Sequence, residues 1–373
     1  MPLVRVLGIE SSCDETAAAV VEDGRRIISN VVHSQIDIHR VYGGVVPEVA
    51  ARSHLEVVIP VIDRAVKEAG GWEQVDAIAN TVMPGLIGSL LIGSLTARML
   101  ALIKKKPYYP IHHVEAHVYA GFLTEQTPEF PLLALIISGG HSQIVLFHDH
   151  GNYELIGQTV DDAVGEAFDK VAKIIGLDYP GGPAVARAAL KGDPTRFKFP
   201  KARLKGDYDF SFSGLKTAVL RQVQTTVGVD HTYPSTGLAP LLDEQTRCDF
   251  AASFQNIACQ TLVDKLVKAA KFYTPRTVVV AGGVAANQEL RRQLTERLSS
   301  PIIFPPVSLC TDNAAMVAGL GCFQAERIKP TDPRQLEVTP SISMSRTVWN
   351  KKWLHRPETS HPSYISVFHS SFN

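Results

Sequence analysis

One pattern constrains this chain more than any other: three strand-forming runs, then alternating helix and strand, and then the same order again. Residues 4–9, 17–22 and 26–32 are β-rich runs separated by turn residues. A helical pattern over 48–68 follows, then a strand at 75–81, a helix over 86–103, a strand at 108–111 and a helix over 114–122. The second round has strands at 132–137, 142–147 and 153–159 and a helix over 161–175. It closes with a helix over 249–273, a strand at 277–281, a helix over 288–298, a strand at 301–304 and a helix over 312–324. This repeat is one of element order, not of residues, and it predicts an α/β fold of two similar lobes with a cleft between them. A length of 373 residues agrees, since single cores stop growing at roughly 250–300 residues. The lobes are expected at 1–125 and 126–328, with an insertion in the second at about 184–246. The remainder, 329–373, is rich in Pro, Ser and His and lacks periodicity, although Trp349 and Trp353 imply that part of it packs.

Charge and cysteine usage narrow the setting. Thirty-seven basic residues balance 37 acidic ones, which excludes a chain coated with positive charge for RNA; any nucleic-acid contact must be local. Five scattered cysteines without a C-x-x-C pair read as reduced thiols in the cytoplasm. Residues 1–10 carry no signal-peptide pattern. The apolar run 86–103 is interrupted by Ser89, Ser94, Thr96 and Arg98, so a buried helix is expected there, not a membrane span; it and the 48–68 helix either bury their Val, Leu and Ile in their own core or leave apolar faces for a related lobe.

Chemistry is written at several places. His113 and His117 are spaced i and i+4 on a helix, which sets both on one face to grip one metal ion. A zinc peptidase would need its Glu next to the first His; here Glu115 lies two positions on, roughly 200° around the helix. His112 points off that face and reads as strand-end packing. Asp312, in Thr311-Asp312-Asn313, opens a later helix. Either it or Thr311 merely caps that helix, or Asp312 completes a two-His-one-carboxylate set suited to iron or another divalent metal. Three small-residue turns, 8–16, 138–141 and 281–287, could bring backbone N–H groups to a phosphate. Within the insertion, residues 187–216 hold eight basic and three acidic residues, a net of +5. Phe197, Phe199, Tyr208, Phe210 and Phe212 are interleaved with them. That mixture suits single-stranded RNA. It equally suits a solvated basic loop anchored by its aromatics.

Together these residues resemble the TsaD (Gcp or YgjD) family of tRNA N6-adenosine threonylcarbamoyltransferases, in the ASKHA group with actin, Hsp70 and sugar kinases. The resemblance runs over residues 4–321. It is carried by GIESSCDETA at 8–17, YGGVVPEVAARSH at 42–54, HHVEAH at 112–117 and SGGHSQ at 138–143. DDAVGEAFDK at 161–170, YPGGP at 179–183, FSFSGLKTA at 210–218, GGVAAN at 282–287 and TDNAAM at 311–316 complete it. Met83 stands where the family usually has Gly, which puts the angle of that turn in question.

The resemblance implies a two-lobed ASKHA fold and transfer of threonylcarbamoyl from threonylcarbamoyl-AMP to the adenosine 3′ of the anticodon, in tRNAs reading codons that begin with A. It implies His113, His117 and Asp312 as ligands of one divalent metal, Fe2+ first and Zn2+ second. Ile136, Ile137, Ser138, Gly139, Gly140, Asp169, Gly182 and Asn287 become substrate-contacting positions. Asp14 and Glu15 become candidates for accepting the proton of the attacking amine, with Ser138 helping to stabilise charge. Lys198, Lys201, Arg203 and Lys205 are the expected tRNA contacts. Expected partners are a TsaB-like paralogue and a TsaE-like ATPase, since the chain itself has no Walker sequence; without them a homodimer is the alternative. Two other classes stay in view, a kinase-like ASKHA nucleotide-binding protein and a metallopeptidase.

Overall fold

The computed structural model describes residues 4–334, 338–344 and 349. The strands are β1 (Arg5–Glu10), β2 (Glu15–Glu22), β3 (Arg26–Ser34), β4 (Ala77–Met83), β5 (Tyr108–His112), β6 (Leu132–Ile137), β7 (Ser142–Asp149), β8 (Asn152–Gln158), β9 (Thr277–Ala281) and β10 (Ile302–Ile303). The first-lobe helices are α1 (Ile36–Arg40), α2 (Pro47–Glu68), α3 (Ile87–Lys104) and α4 (His113–Tyr119). Then come α5 (Val164–Ile175), α6 (Gly181–Ala189), α7 (Ser213–Thr226), α8 (Glu244–Tyr273), α9 (Gln288–Arg297), α10 (Val307–Cys310) and α11 (Ala314–Arg327).

The repeated order produces two sheets of one topology. The first runs β3-β2-β1-β4-β5 and the second β8-β7-β6-β9-β10. In each, the three leading strands form an antiparallel meander and the last two join parallel to its first strand. Parallel pairs need crossovers, and the alternating helices supply them. Both sheets are apolar on two faces, which gives three cores. One lies between α2, α3 and the first sheet, and one between the second sheet and α5, α7 and α8. The third fills the space between the sheets, around α4 and α11.

That central core changes how the lobes divide. Helix α11 follows the second-lobe strands in sequence, yet it packs on β1, β2 and β4 of the first sheet. Small residues make the approach close. A Cβ on Gly8 would lie 2.4 Å from the Ala314 carbonyl oxygen and 2.5 Å from the Ala318 nitrogen. The expected boundary at 328 therefore leaves out a crossing of the chain between lobes.

Other expectations need correction. Helix α3 is only half buried: Ser89, Leu90, Gly93, Ser94, Ala97 and Ala101 face the lobe, while Ile87, Leu91, Leu95, Met99 and Ile103 are exposed. The helix is long and apolar enough to cross a membrane, but its small-residue face is packed on the first lobe. Helices α6 and α7 give the insertion regular structure that periodicity did not announce. Met83 is fully buried at the end of β4 and is not among the residues with positive φ, so the turn before Gly85 needs no glycine at that point. Past α11, the chain returns to the first lobe: Thr331 N–H donates to Tyr108 O, Thr339 N–H to Val82 O, and Gly85 N–H to Pro340 O. Trp349 packs at the central core; Trp353 lies outside the described residues.

Candidate metal centre and interlobe cleft

Helix α4 presents the two histidines because β5 ends at His112, which caps it; His112 Nδ1 accepts from Glu115 N–H at 3.4 Å. One turn separates His113 from His117, both nearly buried, with rings 4.7 Å apart. Asp312 arrives from the start of α11. It does not cap that helix: Asn313 does, its Oδ1 accepting from Met316 N–H at 3.1 Å. The Asp312 carboxylate is thereby free to face the histidines. Its Oδ1 lies 3.5 Å from His113 Nε2 and 3.3 Å from His117 Nε2. One ligand atom from each residue falls within 4.8 Å of the others.

This donor set fits a divalent metal ion. Buried His117 Nδ1 has no hydrogen-bond partner among the described residues, and Nε2 has only the Asp312 carboxylate at 3.3 Å, a costly state unless something else satisfies the ring. Two imidazoles and one carboxylate suit iron or zinc. Burial pushes Asp312 up, but His113 and then His117 outweigh it and hold the carboxyl far below its usual range. Burial pulls His113 down, and Asp312 and Glu10 more than reverse that. Sequence reasoning missed Glu10. It is fully buried on β1, and its Oε2 lies 3.1 Å from His113 Nδ1. Glu115 faces elsewhere, accepting from Tyr153 Oη at 3.2 Å and from Trp349 Nε1 at 2.7 Å. A peptidase base is thus absent from its required position.

His113 and Asp312 open on a cleft of about 550 Å³ between the lobes, with His117 buried behind them. Ser12 to Glu15, Gly43 to Val45 and Pro84 to Leu86 line it from the first lobe. Ser138 to His141, Glu166, Asp169, Lys170, Tyr179 and Gly283 line it from the second. Glu15 is pushed up to about 10 by burial first, then by the negative charges of Asp312 and Asp14. A cation on Asp312 would lower it. His141 is pulled down to about 4 by burial and by His113 and His117.

The substrate positions are distributed unevenly. Gly139 and Gly140 line the cleft with open space where a side chain would be, and their N–H groups have no protein acceptor among the described residues. Ser138 differs, because its N–H is already given to His141 O at 2.8 Å to close the turn. Ile136 and Ile137 bury their side chains in β6 and can offer only backbone. Asp169 lines the cleft, with Oδ1 accepting from Gly181 N–H at 2.7 Å. Asn287 lines a different hollow of about 660 Å³, with Gln255 and α6 residues such as Arg187. Its Nδ2 donates to Gln255 Oε1 at 2.8 Å and its Oδ1 caps α9. The 3₁₀ turn Gly283–Ala286 has its first residue on the cleft and its last on this hollow. Gly182, in the first turn of α6, lines neither.

The basic insertion is exposed at Lys198, Lys201, Arg203 and Lys205, and Lys201 pairs with Asp264 at 2.5 Å. Its aromatics do not form a stacking platform for bases. Phe210 and Phe212 are buried, and Phe197 stacks on Phe250 with centroids 3.8 Å apart. Phe199 and Tyr208 pack against the same core. The aromatics anchor the loop to the second-lobe core and leave its cations exposed.

Residues 26–319 match the family described as "TsaD: tRNA N6-adenosine threonylcarbamoyltransferase". The chain belongs to the TsaD family. It is 52% identical over 322 residues to the tRNA N6-adenosine threonylcarbamoyltransferase of Symbiobacterium thermophilum, covering 85% of this chain and 91% of that one. It is 47% identical over 326 residues to the protein so named in Gloeobacter violaceus, covering 87% and 92%. Among solved structures, HypF from T. kodakarensis superposes with a TM-score of 0.57 at 14% identity, over 87% of this chain and 48% of that one; the likeness is one of fold. The TsaD-family chain is a tRNA threonylcarbamoyltransferase on the ASKHA fold.

Proposed function

We propose that the enzyme takes threonylcarbamoyl-AMP as donor and modifies N6 of the adenosine 3′-adjacent to the anticodon, in tRNAs reading codons that begin with A. The observation that carries this reading is the convergence of His113, His117 and Asp312 at a cleft between two ASKHA lobes in a TsaD-family chain. The exocyclic amine attacks the carbamoyl carbon, the bond from that carbon to the phosphate oxygen breaks, and AMP leaves with the electron pair. The amine proton passes to Glu15, with Asp14 as the neighbouring alternative; both line the cleft. A divalent ion held by His113, His117 and Asp312, Fe2+ or Zn2+, would supply Lewis-acid polarisation of a donor oxygen. Gly139 and Gly140 offer N–H groups to the phosphate. Asn287 and the hollow beside it suit the adenosine. Incubation with threonylcarbamoyl-AMP and such a tRNA, followed by nucleoside analysis, tests the reading; no modified adenosine, with or without partners, overturns it. Five free thiols and a tRNA substrate support a cytoplasmic setting.

For the tRNA, the exposed cations of the insertion support phosphate contacts without base stacking. Reversing Lys198, Lys201 and Lys205 to Glu is expected to weaken tRNA binding and flatten its salt dependence by about 0.7–0.9 in log–log slope per lost contact. Binding of the adenylate should be unchanged. An unaltered tRNA titration would move the RNA surface elsewhere.

The exposed stripe of α3, continued by Leu55 and Ile59 of α2, supports a docked partner. Its residues recur every four positions, which makes one continuous apolar face. A TsaB-like paralogue is the occupant proposed, with a TsaE-like ATPase completing the cycle. Leu95→Glu with Met99→Glu is expected to abolish association and multiple turnover together. Multiple turnover by the isolated wild-type chain, lost in the same variant, would indicate a homodimer through this face instead.

A further inference from the structure

We propose that Glu10 is a positioning residue that sets which nitrogen of His113 is available to metal. The proposal rests on the metal reading above. Glu10 ends β1, the central strand of the first sheet, and is 0% exposed. A buried carboxylate must be fully hydrogen-bonded to be tolerated. Glu10 Oε1 accepts from Ser12 N–H at 2.6 Å, and Oε2 accepts from Thr81 Oγ at 2.6 Å and approaches His113 Nδ1 at 3.1 Å. Ser12 Oγ also lies 3.1 Å from Nδ1. A carboxylate is an acceptor only, so the imidazole must place a proton on Nδ1 to meet it. That leaves Nε2, the nitrogen 3.5 Å from Asp312 Oδ1, to offer its lone pair to the shared ion. Carboxylate, imidazole and metal then form the relay by which outer groups fix ring orientation and raise ligand basicity.

The same contacts predict what an isosteric change does. In Glu10→Gln, Ser12 N–H still requires an oxygen at the Oε1 position. The amide nitrogen is therefore forced to the Oε2 side, toward Thr81 and His113. Thr81 can rotate its hydroxyl to accept. His113 Nδ1 can accept only by moving its proton to Nε2, where it occupies the ligating lone pair. The packing volume is unchanged, so the variant isolates the proton position from the shape of the site.

The test uses the full chain and zinc as the probe. Chelator-competition titration of Glu10→Gln is expected to show about 10–100-fold weaker zinc binding than the native chain. Ring-nitrogen NMR should show His113 Nδ1 protonated in the native zinc form and unprotonated, with the proton on Nε2, in the zinc-free variant. Native zinc affinity in Glu10→Gln, where His113→Ala has lost it, overturns the Glu10 role alone. Zinc retained by His113→Ala overturns the metal reading and this proposal with it. Should Glu10→Gln fail to fold, the Nδ1–H proton of the native zinc form still decides: a downfield, exchange-protected resonance of a hydrogen bond to carboxylate supports the proposal, and a resonance at the position of a free imidazole N–H overturns it.

Discussion

Asp312→Ala is expected to lose bound metal and transfer activity together, by on the order of 10²-fold or more in rate, because an ion supplying several kcal/mol of charge stabilisation is removed. His113→Ala and His117→Ala should show the same paired loss, since the three side chains converge on one point. His112→Ala should behave otherwise. Its ring caps α4 and is not one of the three converging ligands, so its loss should lower stability more than metal content. Metal analysis beside single-turnover assays checks the series. Full metal and full activity in Asp312→Ala would refute the ligand set. The expectation of paired losses separates a shared ion from a cluster of ion pairs. If Asp312 served only to pair with the histidines, each variant would lose stability without a common metal signal.

Gly8→Ala is expected to be among the most disruptive single substitutions outside the cleft. The added Cβ would meet backbone atoms of α11 on two sides, at 2.4 and 2.5 Å, and no side chain can swing away. Overpacking of this kind costs about 1–3 kcal/mol. It also acts on function, because Asp312 is held at the entry to α11. A shift of the helix away from β1 draws the carboxylate off the histidines. Gly319, on the same helix, supplies the control. Its Cβ would lie 3.5 Å from Leu123, an ordinary contact, so Gly319→Ala should be neutral or stabilising by about 0.5–1 kcal/mol. Denaturant midpoints and zinc affinity of the two variants, compared, check the claim. Equal behaviour would mean that the β1–α11 contact yields more readily than its geometry implies.

What could be read from the residues follows the range of the forces involved. The doubled strand order was legible because hydrophobic periodicity is local, and all ten strands fall where it put them, within a few residues. The His113–His117 pair was legible for the same reason, since four residues of helix decide it. Asp312 could be suspected from sequence but not freed from a capping role, because the choice between it and Asn313 depends on one turn of backbone. Glu10 lay inside a turn and a motif that were noticed, but nothing local tied it to the histidines. Its partners Thr81 and His113 lie 71 and 103 residues away, and only the folded sheet brings them together. The insertion aromatics left two readings open for a related reason. Alternation of charge and ring looks alike whether the rings face solvent or core, and tertiary packing alone distinguishes them. The exposed half of α3 was legible only as one of two readings, because its two faces are apolar alike; Leu95 and Leu90 differ in their neighbours, not in their chemistry.

The crossing of α11 onto the first sheet has a consequence for how the protein is made. One face of that sheet, bearing Val6, Ala17, Ala19 and Val21, is covered by a helix that leaves the ribosome only after nearly the whole second half has been synthesised. At about 5–20 residues per second, the early strands wait tens of seconds for their cover. During that interval the nascent chain presents a bare apolar sheet, a surface that chaperones bind and that aggregates if neglected. The metal centre shares the delay, since Asp312 is the last of its residues to emerge. Nascent chains stalled before α11 has cleared the exit tunnel should therefore stay protease-sensitive in the first lobe, and become resistant once it is out.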